Sequence, residues 1–174
     1  MNSLLNVSII IPTYKDWTRL KLCLSALADQ SYPRESFEVI VVNNDKTHVA
    51  EIQWLTEGLP PNFSIINEPI PGSYTARNAG LNMARGEVIG FTDSDCIPDA
   101  DWISEAVKVF EKNRDAQRVT GPIRIFRELE GGWFAWKFES VTAFNQQHNV
   151  RNGVSVTANL FVRKSVFNQV GLFN

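Results

Sequence analysis

The sharpest chemical signal in the sequence is Asp93-Ser94-Asp95, directly after the short apolar run Val88 to Phe91. If the backbone stays extended past Phe91, positions 93 and 95 project to the same side. Two carboxylates held close together repel, and a hard divalent cation such as Mg2+ or Mn2+ relieves that with oxygen ligands. Such an ion keeps several waters and takes phosphate oxygens from a ligand. The competing reading is a turn in which Asp93 and Asp95 cap local N–H groups. Three more polar clusters follow apolar runs: Pro12-Thr13-Tyr14-Lys15, Asn43-Asn44-Asp45 and Asn67-Glu68.

These clusters need elements to position them. Val7 to Ile11, Phe37 to Val42, Phe63 to Ile66 and Val88 to Phe91 read as short buried strands. Helices are expected from Asp16 to about Asp29, over Val49 to Leu55, from Ser73 to Ala84 with Gly86 as its stop, and over Asp101 to Lys112. His48 begins the second of these. Asp99 and Asp101 are expected to help start the last. Val119 to Phe126 reads as a strand interrupted by Gly121-Pro122, and Val154 to Thr157 as another. Lys164 to Val170 reads as one or two helical turns. Strands alternating with helices imply an α/β fold, with a mainly parallel sheet covered on both faces. In such sheets ligands bind beyond the carboxyl ends of the strands, so the polar clusters are expected to converge on one cleft.

Composition narrows the classes. The 174 residues carry 17 Lys+Arg against 19 Asp+Glu, a formal charge of −2, without a basic tract for a nucleic-acid backbone. Hydrophobic residues make up 44%, and no apolar run is long enough to span a membrane. The N-terminus has no signal-peptide pattern, which points to the cytoplasm, with membrane association of a full-length protein left open. Cys23 and Cys96 lack metal-ligand spacing; Cys23 is expected in the core and Cys96 as structural. Arg85 and Lys108 are expected to be solvated. A Walker-type Gly-Lys-Ser/Thr loop is missing, as is Gly-x-Gly-x-x-Gly after the first strand. A metal-held nucleoside diphosphate fits better than either of those ligand modes.

Four segments carry a family resemblance: Val7 to Tyr14, Phe37 to Val42, Ala76-Arg77-Asn78-Ala79-Gly80, and Gly86 to Asp95. Asn159 to Arg163 and Gly171-Leu172-Phe173 continue it. In order and spacing the sequence resembles glycosyltransferase family 2. The resemblance implies a GT-A fold, a nucleotide-diphosphate sugar donor, a divalent metal (Mg2+ or Mn2+) and inversion at the anomeric carbon. It places Pro12, Thr13 and Tyr14 along the base and ribose, and Asn44 where the family often has an Asp contacting the base. Asp93 falls in the ribose and phosphate region with Ser94 beside it, Arg77 near the diphosphate, and Asp95 at the metal. Asp93 and Asp95 are the catalytic candidates. Asn43-Asn44 departs from the acidic pair common in the family, which leaves the base open.

Inversion also needs a group to take the acceptor's proton. Glu128, Glu130, Glu139 and His148 are candidates without a supporting motif, and the resemblance places the usual base beyond Asn174. The chain is therefore read as a donor-binding half, 1–126, and the start of an acceptor-side half, 127–174, within a single domain cut before its base. In the aromatic stretch of Trp133, Phe134, Trp136, Phe138 and Phe144, the side chains of Trp133, Trp136 and Phe138 would cover a sugar or lipid acceptor, or simply pack on the sheet. Saccharide, lipid-linked and protein acceptors all fit, cell-envelope polysaccharide among them. A nucleotide-sugar binding domain without catalysis is the alternative class, and a nucleotidyltransferase a third.

Overall fold

The first apolar run has two faces to bury. In β1 (Val7–Thr13), Ile9 and Ile11 join one core cluster and Ile10 another, and none of the three is exposed. This is the two-residue period of a strand. A strand apolar on both faces belongs inside a sheet, and β1 lies between β2 (Phe37–Asn43) and β4 (Val88–Phe91), parallel to both. β3 (Phe63–Asn67) pairs in parallel with β2. The structure, a computed structural model, describes residues 4–47, 58–125 and 151–174. Within these, β5 (Arg118–Thr120) and β6 (Leu160–Arg163) complete a six-stranded sheet of order β3-β2-β1-β4-β6-β5. β6 runs antiparallel to both β4 and β5.

Helices cover both faces. On one side α1 (Trp17–Ala28) buries Leu20, Cys23, Leu24 and Leu27 beside Ile9, Ile11, Val39 and Val41. On the other, α2 (Ser73–Met83) buries Ala76 and Leu81 beside Ile10, Ile40 and Val42. α3 (Trp102–Lys112) joins α1 through Ile103, Ala106, Val107 and Phe110. The short α4 (Phe167–Val170) lies on the α2 side, where Phe167 and Phe173 stack edge-on against the buried Phe91. Gly80 lets α2 approach β1: a Cβ there would lie 2.5 Å from Ile10 Cγ2.

The four parallel strands and three longer helices fall where the sequence places them, within a residue or two. Other expectations change. The strand expected over Val119 to Phe126 is only Arg118–Thr120; 121–125 are not strand and Phe126 is outside the described residues. Val154 to Thr157 is not a strand. Val154 is exposed, and a 3-10 turn at Thr157–Asn159 leads into β6. Leu160, Phe161 and Val162 are the run that is buried, and burial decides the sheet. Gly72, not Ser73, holds the N-cap position of α2, and Ala84 ends it before Gly86. Gly86 serves close packing instead, since a Cβ there would lie 2.5 Å from the Ser8 backbone N. Asp16 and Asp101 stand at N-cap positions without a side-chain cap bond. Arg85 and Lys108 are exposed as expected, and each also makes an ion pair, Arg85 with Glu38 through Nε at 3.0 Å and a second guanidinium N at 2.7 Å, and Lys108 with Glu105. His48, the Val49 to Leu55 helix and the aromatic segment lie outside the described residues.

Candidate functional site

Because β1, β2 and β4 are parallel, their carboxyl ends open on one side of the sheet, where α1 and α2 begin. An open cleft of about 410 Å3 lies there, lined by Pro12, Thr13, Tyr14, Asp16, Asn44, Ser73, Arg77, Asp93, Ser94 and Asp95. That volume is within the range of small-molecule sites, roughly 300–1,000 Å3. Every residue that the sequence places at a nucleotide or metal site lines this cleft. Asp93-Ser94-Asp95 lines it in full, whereas the other expected polar clusters do so only in part or not at all, Lys15 being outside. Asn43, Asp45, Asn67 and Glu68 are outside the lining, and Asn43 is spent on Asp45 O and Asn67 Oδ1, both at 2.9 Å.

The segment after β4 turns instead of staying extended. Cys96 N–H donates to Asp93 O at 3.1 Å, which closes a turn over Ser94 and Asp95. The two carboxylates therefore do not share the side of an extended strand, and each has its own arginine. Arg77, one turn into α2, donates to Asp93 Oδ1 at 2.7 Å. Arg19 pairs closely with Asp16 at 2.9 Å and reaches Asp95 at 3.9 Å. Behind the turn Cys23 is fully buried, its thiol 3.8 Å from Asp93 O. Burial first, then Cys96 and the two aspartates, push that thiol far above its ordinary range, so Cys23 is an unreactive core group.

Two polar atoms on the cleft are buried without a partner among the described residues: Thr13 Oγ1 and Arg77 Nε. Buried polar atoms are usually satisfied, and both of these belong to residues that line the cleft. Asp95 differs from Asp93 in openness. Its side chain is 52% exposed, against 34% for Asp93, and among the described residues it accepts a long contact from the Cys96 thiol at 3.8 Å besides the distant arginine. Such an oxygen donor suits a hard divalent ion. No group of three or more acidic, His or Cys ligands gathers among the described residues. An ion on Asp95 would complete its shell with water and a ligand's phosphate oxygens, as Mg2+ and similar ions do.

Sequence reasoning missed Asp16 and Ser73 as cleft residues. Each sits where a helix begins after a strand's carboxyl end, the layer in which α/β folds take their ligands. That position was the available signal.

Fold and site together define an α/β protein with a polar cleft at the carboxyl edge of a parallel sheet. Residues 8–171 match Glycosyl transferase family 2, and the chain belongs to that family. It is 33% identical over 170 residues to glycosyltransferase AglE of Haloferax volcanii, covering 96% of this chain and 55% of that protein. It is 26% identical to glycosyltransferase GlyA of Streptococcus pneumoniae, covering 89% of this chain and 21% of that protein. The chain thus spans about half or less of the length of these relatives. Among solved structures it resembles mannosyltransferase PcManGT from Pyrobaculum calidifontis in complex with GDP-Man and Mn2+. That match has a TM-score of 0.74 at 22% identity over 99% of this chain and 48% of the other. TarS of S. aureus in complex with UDP-GlcNAc matches with a TM-score of 0.68 at 21% identity, over 97% and 48%. The fold is therefore GT-A, as the resemblance implies. No described helix is long and apolar enough to cross a membrane.

Proposed function

We propose that this chain carries the donor site of a metal-dependent, inverting glycosyltransferase that takes a nucleotide-diphosphate sugar. The observation that carries the reading is the meeting of Arg77, Asp93 and Asp95 on one cleft at the carboxyl ends of β1, β2 and β4. Pro12, Thr13 and Tyr14 line the side for base and ribose, with the Thr13 hydroxyl available to a ligand. Arg77 is oriented by Asp93 and keeps Nε for an anionic oxygen, while Ser94 and Asp93 border the ribose and phosphates. Asp95 would hold Mg2+ or Mn2+, which when bound supplies Lewis-acid stabilisation of the leaving diphosphate. Transfer with inversion also needs the acceptor hydroxyl in line and a group to take its proton. Glu128, Glu130, Glu139 and His148, the sequence's candidates for that role, lie outside the described residues. The relatives named as glycosyltransferases, and the GDP-Man and UDP-GlcNAc bound by PcManGT and TarS, support the donor class.

The test is a thermal-shift panel of UDP, GDP, dTDP and CDP with Mn2+, Mg2+ or EDTA, on wild type and Asp95→Ala. A nucleotide at about 100 times its Kd adds about 2.7 kcal/mol, a rise of roughly 5–10 °C for a domain this size. The expected result is a metal-dependent rise for at least one nucleotide that Asp95→Ala abolishes. No rise with any pair overturns the reading, and an equal rise in EDTA removes the metal from it.

A further inference from the structure

The residue at the base-contact position of the resemblance behaves unlike a base reader. In a parallel sheet the backbone ladder runs out at the carboxyl ends. Its last rungs here are Asn44 N–H to Thr13 O and Glu68 N–H to Asn43 O, each 2.9 Å. The chain then crosses Glu68 to Gly72 with Pro69 and Pro71, which donate no backbone N–H. The Asn44 side chain takes over where the ladder stops. Its Nδ2 donates to Glu68 O and to Ile70 O, both at 2.8 Å, and its Oδ1 accepts from Gly72 N–H at 2.7 Å. Two of these partners can only accept and the third can only donate, so the amide has one orientation. Thr75 reinforces the loop from the helix side, its hydroxyl lying 2.7 Å from Ile70 O and 2.6 Å from Gly72 O.

We infer that Asn44 is a positioning residue. It locks the loop between β3 and α2, and so presents Ser73 and Arg77 to the cleft, without selecting the base itself. An aspartate could not do this, because a carboxylate has no hydrogen to give the Glu68 and Ile70 carbonyls. The departure from the family's acidic residue is then a requirement of the loop. Gly72 completes the device. Its φ of +131° belongs to glycine, and a Cβ there would lie 2.7 Å from the Tyr74 ring. The inference rests on the donor site proposed above.

The experiment measures equilibrium binding of UDP, GDP, dTDP and CDP with Mn2+ to wild type, Asn44→Ala and Asn44→Asp, well below the melting temperature of each. Both variants are expected to weaken every nucleotide by a similar factor, about tenfold or more, with the order of preference unchanged. Asn44→Asp that binds as well as wild type would overturn the inference, because an acceptor alone would then suffice. A reordered preference in Asn44→Ala would overturn it too, since Asn44 would then be reading the base. So would wild-type affinity in both variants, which would reduce the network to a role in stability. Should either variant fail to fold, Thr75→Val releases the same loop from the helix side. It should cost about fivefold for all four nucleotides alike, and an unchanged affinity there counts against the inference. A wild-type chain that binds no nucleotide removes the donor site and this inference together, whereas binding that survives the Asn44 changes removes the inference alone.

Discussion

The two ends of the parallel sheet are built from the same chemistry and are arranged oppositely. At the amino end Ser8 donates to Glu38 at 2.7 Å, Gly86 N–H donates to Ser8 Oγ at 2.8 Å, and Arg85 closes on Glu38 through its backbone N–H and guanidinium. Hydroxyl, carboxylate and arginine satisfy one another there. At the carboxyl end Thr13, Asp93 and Arg77 offer the same three groups around a cleft, and there Thr13 Oγ1 and Arg77 Nε have no partner among the described residues. A ring of polar groups closed on itself stabilises the fold. One left open along a cleft is available to a ligand, at some cost in stability.

That contrast can be broken experimentally. The largest effect on stability is expected at the closed end, from Gly86→Ala. The new Cβ would meet backbone rather than a flexible side chain, and unfolding in urea should show a loss of about 2–3 kcal/mol with nucleotide affinity per folded molecule unchanged. The largest effect on binding is expected at the open end. Arg77→Ala should weaken nucleotide binding by about 2 kcal/mol, roughly thirtyfold, as loss of a charged hydrogen-bonding group does; calorimetric titration reads it. Wild-type affinity in that variant would mean that Arg77 serves Asp93 alone.

Thr13→Val sharpens the comparison with a change of opposite signs. Removing an unpaired buried hydroxyl should raise stability by about 1 kcal/mol while nucleotide affinity falls. A loss of stability in the Thr13→Val variant would show that the hydroxyl already has a partner in the free chain.

The smallest effects belong to the arginine–carboxylate pair at the closed end. Burial alone would raise the Glu38 carboxyl, but the Arg85 N–H, the Ser8 hydroxyl and the Arg85 guanidinium outweigh it and hold the group below its ordinary value of 4.5. A folded-state value below the unfolded one stabilises the fold above pH 4.5, and that contribution is lost as pH falls through the folded value. Glu38→Gln should therefore be less stable than wild type near neutral pH, with the gap narrowing below pH 4.5; melting curves across pH measure it. The Arg85 side chain is 85% exposed, so Arg85→Ala should cost only about 0.5 kcal/mol and leave nucleotide binding alone.

Local patterns made much of this protein legible. The β-branched runs at Val7, Phe37 and Val88 read as interior strands, and the spacing of Leu20, Leu24 and Leu27 as a helix face, because alternation and helical period are properties of neighbours in sequence. The cleft residues were legible for a related reason. In a parallel sheet whatever follows a strand lands at one edge, so Thr13, Asn44 and Asp93 had to come near one another. Only the tertiary structure decided the rest. It made Leu160 to Arg163 rather than Val154 to Thr157 a strand, since the choice depended on which run β4 and β5 could bury between them. It turned the chain at Asp93 and gave each carboxylate a different arginine, drawn from helices 16 and 76 residues away. It also committed the Asn44 amide to three backbone groups more than twenty residues distant. A side chain's type states what it is able to bond, whereas which partner it meets depends on contacts between segments far apart in the chain, and those exist only once the sheet has assembled.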